Sequence, residues 1–165
     1  KELVKRKKTG SQFAHEAEER APDAAKPLSR RALLEERLLA IAALLPPDQA
    51  AREFAAEGLS LAGSGNAKLA QMISGGADED AALFADKLKI LAFKGEALAA
   101  FTPDPLYEFT LCKRELEKEC VRQELAHISK IIEEKERGKN VSDLEALLDD
   151  FRKLTHQLQI LSSAV

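Results

Sequence analysis

The sequence predicts an all-α fold, in which a small helical bundle subdomain is joined by a long helix to a C-terminal antiparallel helical hairpin. Three observations carry that reading. Ala, Leu, Glu and Lys dominate a chain of 165 residues with no Trp, one Tyr and 8 Gly, the composition of a helical protein. Stripes such as Leu34, Leu38, Ile41 and Leu45, and Leu147, Phe151, Leu154, Leu158 and Leu161, recur at steps of 3 and 4, which is the helical period. Between Leu106 and Gly138 there is no Pro or Gly, so one helix of about 33 residues, roughly 50 Å long, is expected there.

The length suits one core with an appendage, not two full domains. Apolar residues make up 45 % and charged residues 32 %, with a net charge of −3. Such a weakly acidic body is not suited to gripping a phosphate backbone strongly. No apolar run approaches the roughly 18 residues of a membrane span, and no apolar stretch follows the basic start, so a cytoplasmic protein is expected. Cys112 and Cys120 stand eight apart on the long helix, about 12 Å of rise, too far for a disulfide.

Residues 1–27 carry few apolar side chains, no sustained period and two prolines near their end. They are expected to form a tether. Lys1, Lys5, Arg6, Lys7 and Lys8 read as a solvated charge run in preference to a nucleic-acid contact. A start without Met suggests a piece of a longer protein.

Residues 28–120 are expected to form the helical globule. Ser29 is a plausible N-cap, and Leu34, Leu38, Ile41 and Leu45 draw a stripe at 4, 3 and 4 that ends before Pro46-Pro47. Leu33, Leu39 and Leu44 widen it. A helix apolar over most of its circumference is packed on several sides, so this one should be the central post. Asp48 to Glu57 reads as a second helix closed by Gly58, with Phe54 inward. Asn66 is a candidate cap for a short third helix through Met72 and Ile73, ended by Gly75-Gly76. Residues 77–100 supply a further helical stretch, with Leu83, Phe84, Leu88, Leu91 and Phe93 as core anchors and an interruption at Gly95.

Along the long helix the stripe changes face. Phe109, Cys112, Leu116 and Cys120 fall at 3, 4 and 4, whereas Val121, Leu125, Ile128 and Ile132 follow in a neighbouring heptad phase. The first half is expected on the globule and the second against another helix. That helix comes next: Gly138-Lys139-Asn140 makes a turn, Ser142 and Glu145 form a capping box, and Leu147, Phe151, Leu154, Leu158 and Leu161 continue the period. Residues 121–165 therefore read as a hairpin subdomain. Ile131, Leu144, Leu148 and Ile160 lie off its narrow seam, surplus apolar surface suited to another protein.

Catalytic chemistry is not legible. His15, His127 and His156 are scattered, and neither they nor the cysteines have metal-ligand spacing. Gly63 to Lys68 resembles a phosphate loop only loosely, without the G-K-[ST] ending or a preceding strand, and reads as a turn between helices. The many carboxylates alternate with Lys and Arg on helix faces, as solvated surfaces do. No enzymatic activity is expected of this chain.

The opening "LLEERLLAIAALLPP" and the closing "LYEFTLCKRELEKECVRQELAHISKIIEEKERGKNVSDLEALLDDFRKLTHQLQILSS" together resemble the C-terminal helicase-binding domain of bacterial DNA primase. The likeness covers about residues 29–163. It rests on a pattern of helices and leucines, not on catalytic residues. Where that family commonly has a polar residue or His before proline, this chain has Leu45-Pro46-Pro47.

The resemblance implies a two-part adaptor. The hairpin would dock on the N-terminal domains of a hexameric replicative helicase, while the globule modulates helicase activity during primer synthesis in the bacterial cytoplasm. It also implies a second partner in the acidic tail of single-stranded-DNA-binding protein, a monomer in the absence of helicase, and no cofactor here. Zinc and magnesium would belong to upstream primase domains. The expected docking residues are Lys135, Arg137, Lys139 and Asn140 at the hairpin tip, with Phe151, Ile160 and Leu161 as apolar anchors. The rival readings are the N-terminal domain of a replicative helicase, similar in fold, and a helical scaffold that dimerises through its hairpin.

Overall fold

The computed structural model describes residues 28–56, 59–76, 79, 81–138 and 143–163. These contain six helices and no strand: α1 (Arg30–Ala42), α2 (Pro47–Ala55), α3 (Ser64–Ile73), α4 (Ala81–Ala99), α5 (Pro105–Arg137) and α6 (Leu144–Ser163). The expected tether (1–27), Gly58, Lys139, Asn140 and Ser142 lie outside the described residues.

α1 starts where its cap dictates, with the Ser29 side chain accepting from the Ala32 N–H. It ends at Ala42, and a tight turn carries Leu45 on into the core before Pro46. The helix is the central post. Leu38, Ile41 and Ala42 meet Phe109, Cys112 and Leu116 of α5 and Ala50 of α2 in one core, while Leu39 and Ala40 meet Leu69, Ala70 and Leu91 of α3 and α4 in another. Full burial of Leu38, Leu39, Ile41, Leu116 and Phe109 contributes about 1.5–3 kcal/mol each. Leu33 departs from the expected stripe and stands 51 % exposed.

Pro47 occupies the first turn of α2, where its missing N–H costs nothing. Phe54 faces inward as its spacing suggests and meets the Phe109 ring edge-on, centroids 5.6 Å apart.

α3 begins three residues earlier than an Asn66 cap would allow. Gly63, at φ 81°, makes the entry. Asn66 instead donates from Nδ2 to Glu35 at 2.5 Å. Glu35 is buried inside α1, and its carboxylate also accepts from Arg31 Nε at 3.0 Å and from the Ala62 N–H at 2.7 Å. The Arg31 guanidinium reaches on to the Ser60 carbonyl at 3.1 Å. Three of these contacts, those of Ser60, Ala62 and Asn66, fasten the 59–63 connection and α3 to the post.

Gly95 does not interrupt α4, which runs unbroken over 19 residues. A Cβ there would lie 2.6 Å from the Ala40 carbonyl oxygen, so glycine is what lets α4 approach α1 so closely. Leu83 and Phe93, expected in the core, point outward; Phe84, Leu88, Leu91, Gly95 and Leu98, spaced 4, 3, 4 and 3, form the inner face instead.

α5 is the long helix that the unbroken run predicts, 33 residues capped by the Asp104 side chain on the Tyr107 N–H. Its first half buries Phe109, Cys112 and Leu116, and the Cys112 thiol donates to the Leu34 carbonyl at 3.5 Å. Arg30 meets Glu115 and Glu119, and Arg37 meets Glu108, across the α1–α5 boundary. α6 packs back along the outer half of α5.

Replacing Glu35 by Ala leaves the Arg31, Ala62 and Asn66 donors without their acceptor. Equilibrium denaturation is expected to show a loss of about 3–5 kcal/mol.

Burial is the main cause that pushes the Cys112 thiol from about 9 to about 11, opposed by Arg37 and aided by Glu108 and Glu115. The folded chain therefore resists forming the thiolate. The thiol's contribution to stability is intact below about pH 9 and is lost as pH rises to about 11. Denaturant midpoints of the parent should fall more steeply across that window than those of Cys112→Ala.

Candidate interaction surface

The hairpin is built on a single shared stripe. On α6, Leu144, Leu147, Phe151, Leu154, Leu158 and Leu161 recur at 3, 4, 3, 4 and 3 and are all half-buried, which marks the side turned to α5. On α5 the matching positions are Val121, Leu125, Ile128 and Ile132, with Val121 and Ile128 buried. No α6 residue is fully buried. One helix covering another shields only one side of each, so the remaining circumference of both helices faces out.

Of the residues expected to dock a partner, the structure groups some and separates others. Phe151 and Leu161 belong to the inner stripe, so their first role is to hold α6 on α5. Ile160 stands apart, 56 % exposed, beside His156, Gln159 and Ser163 at the rim of a shallow surface depression. Leu148 is also exposed, whereas Leu144 and Ile131 are half-buried and closer to the seam than their spacing suggests.

At the tip, the Lys135 ammonium lies 3.3 Å from the Asp143 carboxylate. Asp143 leads into α6 with φ 64°, and its carbonyl accepts from the Leu147 N–H. Aspartate tolerates that left-handed conformation better than most non-glycine residues, and the Lys135–Asp143 pair ties the end of α5 to the start of α6. Arg137 is exposed and pairs with Glu133 at 3.5 Å.

The outer face of α6 carries charge of both signs. The Lys153 ammonium sits 3.2 Å from Asp149 and 3.3 Å from Asp150, and hydrogen bonds to these two, Asp149 first, hold it above the ordinary lysine range. On α5, a hydrogen bond from Lys118 holds the Glu115 carboxyl below its ordinary value despite some desolvation, whereas burial raises that of Glu117. The Lys153 pairs belong to a solvated helix face and are worth little each. Among the described residues no group of three or more His, Cys, Asp or Glu is placed to hold a metal ion, and no helix is long and apolar enough to cross a membrane.

A second surface escapes the sequence pattern. The outward side of α4 presents Leu83, Ile90 and Phe93, and Phe93 lines a cavity of about 410 Å³ with Leu33, Ala97, Leu98 and the 86 % exposed Phe101. Heptad counting on α4 alone would have found two apolar stripes there, but not which of them α1 covers.

The inner and outer residues of α6 separate experimentally. Phe151→Ala is expected to cost about 1–3 kcal/mol of hairpin stability and to speed amide exchange throughout α6. Ile160→Asp should change stability by no more than about 0.5 kcal/mol.

Comparison with family models, with curated proteins and with solved structures finds no match.

Proposed function

We propose that this chain is the helicase-binding module of a bacterial DNA primase, which docks the primase on the N-terminal domains of the ring-shaped replicative helicase. The carrying observation is the outer half of α5 with α6: a hairpin closed by one half-buried stripe, with Ile160 and Leu148 left outside it. The resemblance over residues 29–163 supplies the identity of the partner, and the leucine-rich first helix as the post of a globule supports it.

The mechanics follow from α5. Its 33 residues are continuous from the globule to the hairpin tip, so no loop separates the docking face from the modulating body. Seating the hairpin then sets where the globule stands, about 50 Å of helix fixing the reach. Binding energy spent on the hairpin is transmitted as position, which is what an adaptor on a ring must do.

Ile160 is the apolar contact of the docking face; Leu148, earlier on α6, and the charged tip around Lys135 and Arg137 lie toward the other end of the hairpin. The acidic tail of single-stranded-DNA-binding protein is a second partner on the same reading. The chain carries no catalysis of its own, and primer synthesis with its zinc and magnesium belongs to upstream domains.

Light scattering after size exclusion, with the chain mixed with a bacterial replicative helicase, should show co-elution. Ile160→Asp, folded by circular dichroism, is expected to weaken that complex at least tenfold, about 1.4 kcal/mol. A parent chain that elutes free of helicase at micromolar concentrations overturns the proposal.

A further inference from the structure

We propose that the outer face of α4 is a self-association surface, on which a second copy of this chain lays its own α4 antiparallel. The inference goes beyond helicase docking and uses no residue of the hairpin.

α4 carries two apolar stripes. The inner one, already described, packs on α1 and α3. The outer one has its own heptad register: Leu83, Ile90 and Ala97 at one position, and three residues further on Asp86, Phe93 and, just past the end of the helix, Ala100. Leu83 is 78 %, Ile90 53 % and Phe93 72 % exposed. A lone exposed leucine is ordinary. Ile90 and Phe93 stand one turn apart, Phe93 continues into the groove with Leu33 and Phe101, and Leu83 lies on the same face two turns earlier, beyond Asp86; exposed apolar faces of this kind mark interaction sites.

The charges beside the stripe select the occupant. In an antiparallel pair of helices with heptad register, the two core positions meet each other across the two-fold axis. An axis midway between Leu91 and Ala92 sets Ile90 on Phe93 of the second copy, Leu83 on Ala100 and Asp86 on the small Ala97. Flanking positions then pair with their own kind, so Lys89 of each copy meets Glu96 of the other. That attraction occurs twice in the dimer. Both side chains are exposed, and Lys89 lies 3.3 Å from Asp86 on its own helix.

On the other flank Lys87 and Lys94 come together, but each is already engaged. Lys94 pairs with Glu36 of α1, and Lys87 lies over the Phe84 ring at 6.0 Å. A parallel pair has no such compensation, because it sets Lys89 against Lys94 of the second copy. The helix thus has a face complementary to itself in one direction only. A contact made by one 19-residue helix per copy lies toward the small end of protein interfaces, so the dimer is reversible, with a dissociation constant on the order of micromolar. A monomer in the absence of helicase, which the family resemblance implies, is therefore the low-concentration limit.

Sedimentation equilibrium of the full chain without helicase tests this directly. Between about 1 and 500 µM the weight-average mass is expected to climb from one chain toward two. Phe93→Lys, at an exposed site, should leave the circular dichroism and melting temperature unchanged and weaken association at least tenfold. Lys89→Glu and Glu96→Lys should each weaken it about threefold, and the two together should restore it. A single-chain mass across the whole range overturns the inference, as does a dimer indifferent to Phe93→Lys or a double charge exchange no better than either single one. A monomer that loses helicase binding on Phe93→Lys assigns the stripe to the helicase and also overturns it. Loss of helicase docking with self-association intact counts against the proposed function alone.

Discussion

The carboxylate of Glu35 is the point on which the globule is organised. It sits inside the most buried helix of the chain, 1 % exposed, and collects the Arg31 guanidinium, the Ala62 amide and the Asn66 side chain. An acidic side chain in that position is destabilising unless every lone pair finds a donor. Satisfying it requires the irregular 59–63 stretch to pass close to α1 and α3 to start at Ser64, with Asn66 in its first turn. Geometry that looks like loop placement is in this way dictated by a single buried oxygen pair. Among the described residues no buried side-chain nitrogen or oxygen lacks a partner.

Around that anchor, α1 divides the interior into two cores. One is shared with α2 and α5 and is sealed by the edge-on pair Phe54–Phe109. The other is shared with α3 and α4 and depends on how near α4 can come, which Gly95 permits by presenting no Cβ to the Ala40 carbonyl. The two cores share the post and the flanking side chains Phe54, Leu61, Ile73 and Leu98, so a change in α1 is felt on both sides. α5 then carries the order of the first core outward, because the helix that buries Phe109 and Leu116 there is the same helix that holds α6.

This arrangement gives the chain two free faces of different character. The hairpin's outer surface is mixed in charge with isolated apolar residues, suited to a partner that is engaged and released. The outer side of α4 is a narrow apolar stripe edged by Lys89 and Glu96. The first is carried on the outer half of α5 and the second lies on the globule itself, so the two faces share no residue.

The six helices were largely legible from the chain because helix and turn chemistry is local. Ser29, Pro47, Gly75 and Pro105 mark boundaries by the backbone they allow, and the absence of Pro and Gly from Leu106 to Arg137 leaves helix as the economical solution. The hairpin followed from the same logic, since the stripe of α6 needs a cover and the outer half of α5 is the neighbour in sequence. What period could not decide was which side of an ambiguous helix turns inward. α4 is apolar on two faces, and spacing alone put Leu83 and Phe93 in the core; the close approach at Gly95 chose the other face. In the same way Asn66 reads locally as a cap, but a carboxylate 31 residues earlier in the chain claimed its amide. The docking residues divide on the same principle. Phe151, Ile160 and Leu161 are equivalent as apolar letters, and only the packing of α6 on α5 turned two of them to the seam and left Ile160 outside, because exposure is a property of the assembled pair and not of either helix alone.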